Sequence, residues 1–235
     1  MSSSGKRLVG LLQRLFPGSA GAVLTVVIFV AGCGASGGEG SDAGDQEQES
    51  GSGASSGERV TVGETEAIVW GEGDQGVVLS HGAAYDAASW EPQGKTLGEN
   101  DKVALAVEDT SSQNLRSAID YLKEEYGVES VALIGASAGA GPVLQVAEDN
   151  PEEPSQIILL SGTGDVSGLG EYPKLFVASE GEGIADQARQ MADEAPGDRN
   201  EALILPGDAH AQAIFQSEEG ERLTRAILER LERYG

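Results

Sequence analysis

Three residue types that together could carry out nucleophilic catalysis occur after predicted strands in the second half of the chain. Ser137 lies in Gly135-Ala136-Ser137-Ala138-Gly139, between an apolar run at 131–134 and a segment of helical character. A strand, an abrupt turn and a helix would hold the serine hydroxyl out at the end of a sheet. The same pentapeptide also fits an ordinary glycine-rich turn, because the chain contains 34 glycines.

A serine nucleophile needs a base to take its proton and an acid to orient that base. The chain contains only two histidines, and His210 follows the last predicted strand, at 202–205. His81 instead directly follows an earlier predicted strand, at 77–80, and precedes a glycine. The loops between the serine and His210 hold these candidate acids: Asp165, Glu180 and Glu182.

The elements that must position these residues alternate between strands and helices. Gly63-Glu64 predicts a turn between two opening strands at 59–62 and 66–70. Further strands are predicted at 77–80, 103–107, 131–134, 156–160, 174–178 and 202–205, and helices at 90–97, 114–126, 141–148, 184–195 and 223–234. This alternation predicts an α/β fold with a mostly parallel sheet covered by helices on both faces. Functional residues in such sheets collect beyond the carboxyl ends of the strands.

Residues 60–235 resemble the α/β-hydrolase superfamily. The stretches that carry the resemblance are Leu79-Ser80-His81-Gly82, the pentapeptide around Ser137, residues 173–182, and Leu205-Pro206-Gly207-Asp208-Ala209-His210. The resemblance implies that Ser137 is the nucleophile and His210 the base. It also implies that the backbone N–H groups of Ala83 and Ala138 stabilise the oxyanion.

The resemblance also suggests where the acid lies. Members of the superfamily commonly carry an aspartate just beyond the strand that precedes the last one, and Glu182 occupies that place. Glutamate has a longer side chain, which changes the geometry. Glu180 on the same loop is an alternative, as is Asp165, because some members take the acid from the earlier loop.

The connection between Ser161 and Pro173 is short and rich in glycine. Larger hydrolases insert a helical cap here, so we expect an open site that accepts small or solvent-presented esters. The loop after the strand at 77–80 carries Ala83 and is called the oxyanion loop below. Tyr85 and Trp90 follow Ala83 and are expected either at the entrance of the site or in the core.

The first 32 residues have the features of a secretory signal peptide. Three basic residues precede an apolar run at 22–31, which is shorter than the about 20 residues that a membrane span needs. Val30-Ala31-Gly32-Cys33 resembles the lipobox of bacterial lipoproteins, which implies lipidation of Cys33 and anchoring on the extracytoplasmic face of the cell membrane. The alternative is an uncleaved signal anchor.

Residues 33–57 consist almost entirely of small and acidic or amide residues, a composition typical of a flexible linker. The folded domain is therefore predicted at 58–235. The formal charge of −24 excludes a basic face for nucleic acid, and it fits either a high-salt habitat or strong solubility. Two histidines and one cysteine leave few metal ligands, so neither a metal nor a cofactor is expected.

Two classes of function fit these features. The first is a lipid-anchored serine hydrolase that cleaves carboxylic esters through an acyl-enzyme; a thioesterase or a peptidase would use the same triad. The second is a catalytically inactive lipoprotein of the same fold that serves as a binding or envelope module, since a fold does not determine function.

Overall fold

The computed structural model describes residues 56–235. The predicted signal peptide, Cys33 and most of the predicted linker lie outside the described residues. Within 56–235, no helix combines the length and the hydropathy that crossing a bilayer requires.

In this part of the chain, strands and helices alternate after an opening hairpin. The strands are β1 (Glu58–Val62), β2 (Thr65–Trp70), β3 (Gln75–Ser80), β4 (Lys102–Val107), β5 (Ser130–Ala136), β6 (Gln156–Leu160), β7 (Lys174–Ser179) and β8 (Asn200–Leu205). The helices are α1 (Glu91–Gly98), α2 (Ser112–Glu125), α3 (Ala140–Asp149), α4 (Ala185–Glu194) and α5 (Gly220–Tyr234). Short 3-10 turns occur at Ala87–Trp90, Ser137–Gly139, Glu180–Glu182 and Ala211–Gln216.

The strands form one sheet in the order β1-β2-β4-β3-β5-β6-β7-β8. β1 pairs antiparallel with β2, and β2 pairs antiparallel with β4. All other neighbours are parallel. The predicted mostly parallel sheet is therefore confirmed, as is the predicted hairpin at its start.

Helices cover both faces of the sheet, and alternate strand residues point to opposite faces. Val78 belongs to the apolar cluster that includes residues of α2, α3 and α4, whereas Val77 and Leu79 belong to the cluster that includes residues of α1 and α5. The strands of a doubly covered parallel sheet are buried on both sides, which explains why they appear in the sequence as continuous apolar runs. This agrees with the predicted arrangement of layers.

Differences from the predicted elements occur at their ends. β5 runs to Ala136, two residues beyond the predicted end, and a 3-10 turn separates it from α3. The sequence pattern missed the 3-10 turns, because segments of three to six residues are too short to show a hydrophobic period. These turns are the segments that hold the site described below.

A buried lysine joins three segments at the amino end of β7. Lys174 is fully buried, and its Nζ donates to the carbonyl oxygens of Gly170, Tyr172 and Pro196 at 2.6, 2.7 and 2.7 Å. Burial, with a smaller contribution from the nearby Arg199, lowers the pKa of Lys174 to about 8. The ammonium group therefore ties the 161–173 connection and the segment before β8 to the strand that leads to Glu182.

We expect Lys174→Met to lower the free energy of unfolding by about 2–4 kcal/mol at pH 7, because buried carbonyl oxygens lose their donor. The folded pKa lies below the ordinary 10.5, so the unfolded chain binds more protons between pH 8 and 10.5. The free energy of unfolding therefore gains a contribution that rises with pH in that window. Urea unfolding at pH 7.0, 8.5 and 9.5 measures both effects.

The matched control is Lys102→Met, which removes a lysine that begins β4 and is only partly buried. It should change the free energy of unfolding by less than about 1 kcal/mol. An equal loss in both variants, or an unchanged pH slope in Lys174→Met, would contradict the structural role assigned to Lys174.

Candidate active site

The predicted site residues lie at one edge of the sheet, here called the carboxyl edge, where the parallel strands β3 to β8 end. Ser80, at the end of β3, is in register with Gly135 of β5, and Ser179, at the end of β7, is in register with Leu205 of β8. The loops that follow these strands therefore leave the sheet at the same level. This placement agrees with the general location of functional residues in open parallel sheets.

Ser137 occupies a strained turn directly after β5. Its φ of 49° is in the left-handed region, which is uncommon for a residue with a side chain. The neighbouring backbone can pass close by only because residue 139 is glycine: a Cβ there would lie 2.4 Å from the carbonyl oxygen of Ser80. Ser80 Oγ also donates to the Gly139 carbonyl at 3.0 Å and holds the turn against β3.

His210 bridges the serine and a carboxylate. Its Nε2 lies 2.7 Å from Ser137 Oγ, and its Nδ1 lies 2.6 Å from Glu182 Oε1. A carboxylate can only accept, so Nδ1 carries the proton and Nε2 is free to accept the Ser137 hydroxyl proton. The His210 side chain is 56% exposed and that of Glu182 only 4%, so the imidazole is open to a substrate while its carboxylate partner is shielded.

A capping box orients Glu182. Ser179 is the N-cap of the 3-10 turn Glu180–Glu182, where its side chain accepts the backbone N–H of Glu182 and its own backbone N–H donates to Glu182 Oε2. The carboxylate is thus folded back toward β7, with Oε1 left for His210. This turn accommodates the longer side chain of glutamate, which the sequence alone did not explain.

The other two candidate acids are not brought to His210. Asp165 is exposed, and its Oδ1 accepts the backbone N–H of Ser167 at 2.9 Å. That hydrogen bond lowers the pKa of Asp165. Glu180 is exposed at the start of the capping turn. Of the three alternatives, Glu182 alone contacts the imidazole.

Ala83 and Ala138, the two implied oxyanion donors, belong to segments that adjoin the serine. Ala138 is the second residue of the 3-10 turn, so its N–H has no acceptor within that turn. The loop that carries Ala83 lies close by, because a Cβ on Gly82 would come 3.4 Å from the Cβ of Ser137. Both alanines are exposed.

The segment after β8 crosses the carboxyl edge; residues 206–212 are called the strap below. Its anchoring hydrogen bonds follow the order of the strands: Gly181 N donates to Gly207 O (2.8 Å), Ser179 Oγ to Ala209 O (2.6 Å), Ala211 N to Ser161 Oγ (2.8 Å) and Gly82 N to Gln212 Oε1 (2.9 Å). The strap therefore passes β7, β6 and β5 before it reaches the loop after β3. His210 lies between the anchors at Ala209 and Ala211, and its imidazole reaches Ser137.

Three of these supporting residues were not expected from the sequence. Ser179 had a detectable signal, since Ser-x-x-Glu after a strand is the pattern of a capping box. Ser161 and Gln212 had none, because their partners are 50 and 130 residues away.

The aromatic residues after the oxyanion loop take different places. Trp90 is fully buried and its ring packs edge-on against Phe215, so of the two places expected for it, the core is the one it occupies. As the N-cap of α1, Trp90 belongs to the apolar cluster between that helix and the sheet. Tyr85 is half-buried, and its backbone N–H closes a turn onto the Gly82 carbonyl.

His81 does not contact the serine. Its ring nitrogens face the carbonyl oxygens of Gly82 at 2.9 Å and Glu108 at 3.0 Å, so its ring spans the oxyanion loop and the end of β4. Of the two histidines, only His210 is placed to exchange a proton with Ser137.

The carboxyl edge is acidic. The loops at 81–86, 108–111, 161–169, 180–183 and 206–210 contain no lysine or arginine. Their acidic members, Glu182 apart, are Asp86, Glu108, Asp109, Asp165, Glu180 and Asp208. In the described part of the chain, no three His, Cys, Asp or Glu side chains cluster closely enough to hold a metal ion.

Solved structures share this fold at low sequence identity. A monoacylglycerol lipase of Paleococcus ferrophilus superposes with a TM-score of 0.61 at 17% identity, over 74% of this chain and 100% of that one. A dienelactone hydrolase of Anabaena variabilis gives 0.62 at 17% identity, over 76% and 96%. A cold-adapted esterase from an Arctic intertidal metagenomic library gives 0.61 at 13% identity, over 74% and 92%.

No protein-family model and no curated protein sequence matches the chain. Together with the sheet order and the covering helices, the structural likenesses establish that this chain has the α/β-hydrolase fold.

The hydrogen bond between Glu182 and His210 can be tested directly by proton NMR, since the chain has only two histidines. A charge-assisted bond from Nδ1–H to a carboxylate moves that proton far downfield. We expect this resonance in the wild type and its loss, or a clear upfield shift, in Glu182→Gln. Glu180→Gln is the matched control on the same turn and should leave the resonance in place. A resonance that survives in Glu182→Gln would contradict the pairing.

Proposed function

We propose that this protein is a serine hydrolase that cleaves carboxylic esters through an acyl-enzyme. The observation that carries the proposal is the continuous hydrogen-bonded chain from Ser137 through His210 to Glu182. The order serine, acid, histidine along the sequence is that of the triad in α/β hydrolases. Among the solved structures that share the fold, a lipase and an esterase are two whose names refer to ester cleavage.

Acylation begins when Ser137 Oγ attacks the ester carbonyl carbon. His210 Nε2 takes the hydroxyl proton, and the buried Glu182 carboxylate stabilises the imidazolium that forms. The carbonyl oxygen becomes an oxyanion, which the Ala83 and Ala138 amides hold; each such donor is worth on the order of 10²–10³ in rate. Collapse of the tetrahedral intermediate breaks the ester bond, and the imidazolium gives its proton to the leaving alcohol.

Deacylation repeats these steps with water. His210 takes a proton from the water as its oxygen attacks the acyl carbon, and the same two amides hold the second oxyanion. When this intermediate collapses, the proton returns to Ser137 Oγ and the carboxylic acid leaves. The exposed imidazole gives water free access to the acyl-enzyme.

The substrates that fit best are small esters with an uncharged acyl group. The exposed imidazole and the exposed alanines of the oxyanion loop indicate an open site, in keeping with the short connection after β6. A carboxylate on the substrate would meet acidic loops that contain no lysine or arginine, and like charges repel. No contact in the described site favours a thioester or a peptide over an ester.

Ser137→Ala should abolish turnover of p-nitrophenyl acetate and labelling by a fluorophosphonate probe, because the reactive oxygen is absent. The loss of kcat should be on the order of 10³-fold or more, as when a triad member is removed. The measurements are initial rates and in-gel fluorescence of the labelled protein. Ser167→Ala removes an exposed serine near the connection after β6 and should behave as the wild type does.

Failure of the folded wild type to label would overturn the hydrolase proposal and favour the binding-module alternative. A second check is the pH dependence, since His210 must be neutral to act as a base. Turnover should therefore fall on acidification; a flat profile from pH 5 to 8 would contradict the role given to His210.

The proposal includes anchoring of the enzyme to the outside of the cell membrane through lipid on Cys33. Its support is the sequence Val30-Ala31-Gly32-Cys33 after an apolar run, with the chain's only cysteine at the position that the lipobox requires. Two or more acyl chains would give stable attachment, whereas one chain alone binds marginally. The composition of residues 34–57 fits a flexible tether.

Cys33→Ser should abolish incorporation of radiolabelled palmitate and release the protein from the membrane fraction of expressing bacteria. Ser36→Ala, three residues further along, is the control and should remain labelled and membrane-bound. A wild type that stays in the membrane fraction without incorporating palmitate would contradict lipid anchoring and support the uncleaved signal anchor.

A further inference from the structure

We propose that Gln212 is a positioning residue that holds the oxyanion loop in place, so that the base and the oxyanion donor are set by the same strap. This inference rests on the proposed function. Gln212 lies two residues after His210, and its contacts lie on the loop that carries Ala83. No role in proton transfer is implied.

The side-chain amide of Gln212 contacts both ends of residues 82–89, called the oxyanion segment below. It is 4% exposed; its Oε1 accepts the backbone N–H of Gly82 at 2.9 Å, and its Nε2 donates to Ser89 Oγ at 2.9 Å. The orientation of the amide is dictated by Gly82, whose N–H can only donate. Gly82 precedes the Ala83 donor by one residue, so this contact determines where that donor points.

The remaining contacts of the oxyanion segment do not tie it to the base. Tyr85 N closes a turn within the segment, and the His81 ring reaches the carbonyl of Glu108 at the end of β4. Asp86 caps the 3-10 turn that contains Ser89. Gln212 therefore supplies the link between the loop after β3 and the strap after β8.

The length of the strap explains why its end must be tied. Gln212 reaches the loop after β3, which is four strand spacings from β8, or about 19 Å at about 4.8 Å each. The seven residue steps from Leu205 to Gln212 span at most about 24 Å when fully extended. Positive φ values at Gly207 and Ala211 shorten this path, and the Gln212 side chain covers the remaining distance to Gly82. The bond to Gly82 therefore holds the end of the strap and limits how far His210 can shift relative to the oxyanion loop.

Removing the Gln212 amide leaves a buried N–H without an acceptor. A buried, unpaired polar group is unfavourable, so the oxyanion loop would move to expose Gly82 N to water. The Ala83 amide would move with it. Since complete loss of one oxyanion donor lowers the rate by on the order of 10²–10³, its misplacement should lower kcat by on the order of 10–100-fold.

Gln212→Met tests the proposal, because methionine has a similar volume but cannot accept the Gly82 N–H. We expect kcat for p-nitrophenyl acetate to fall on the order of 10–100-fold, with KM within about twofold of the wild type, because the interaction acts on the transition state. The shape of the pH profile should not change, since Ser137, His210 and Glu182 are intact. Gln212→Glu retains an acceptor for Gly82 N and should recover part of the lost kcat.

Gln156→Met is the matched control. Gln156 is another fully buried glutamine, whose Nε2 donates to the Arg230 carbonyl at 3.1 Å at the amino end of β6, the edge opposite the site. This variant should lose stability but keep its kcat. An equal loss of kcat in both variants would show that removing any buried side-chain amide lowers activity, and it would overturn the proposal.

Amide hydrogen exchange tests the link without relying on activity. Exchange at Gly82 and its neighbours 81–85 should accelerate in Gln212→Met and stay unchanged in Gln156→Met. A folded Gln212→Met with wild-type kcat, or with unchanged exchange at Gly82, would overturn the inference. If the wild type neither turns over ester nor labels with fluorophosphonate, the proposed function fails, and exchange at Gly82 alone decides whether Gln212 holds this loop.

Discussion

The site depends on one backbone segment that must cross the sheet. Parallel strands end side by side about 4.8 Å apart, so residues that follow β5 and β8 are separated by three strand spacings unless a loop closes the distance. Residues 206–212 do so along the carboxyl edge, held by hydrogen bonds at the ends of β7 and β6. These hydrogen bonds place the imidazole of His210 against Ser137. The short 3-10 turn after β7 places Glu182 against the other ring nitrogen of His210.

This path requires backbone conformations that are unfavourable for residues with side chains. Ser137, Ser161 and Ala211 have φ values of 49°, 50° and 51°, each costing on the order of 1–3 kcal/mol. Two of these residues stabilise each other, since the N–H of Ala211 donates to Ser161 Oγ. Strain concentrated at the same edge as the hydrogen-bonded triad is typical of functional sites, where the surrounding structure over-determines the local backbone.

Acidic and basic residues are distributed differently at the two edges of the sheet. Loops at the carboxyl edge contain acids and no lysine or arginine, whereas buried cations lie toward the opposite edge, where Lys174 and Arg230 bind backbone carbonyls. There, both buried cations join segments of the chain by donating to oxygen acceptors. Among the acids of the site loops, only the Glu182 side chain is shielded from solvent, and its carboxylate accepts hydrogen bonds from Ser179 and His210.

The sequence by itself determined the α/β class, the order of the elements, and which loops hold a serine, an acid and a histidine. These features are recognised from local patterns, because continuous apolar runs, helical periods and the glycines around Ser137 each lie within one segment of the chain. Only the tertiary structure decided among Asp165, Glu180 and Glu182, placed Trp90 in the core, and revealed Ser161 and Gln212. Those outcomes depend on hydrogen bonds and packing between residues 28 to 130 positions apart, and no pattern within a single segment records such contacts.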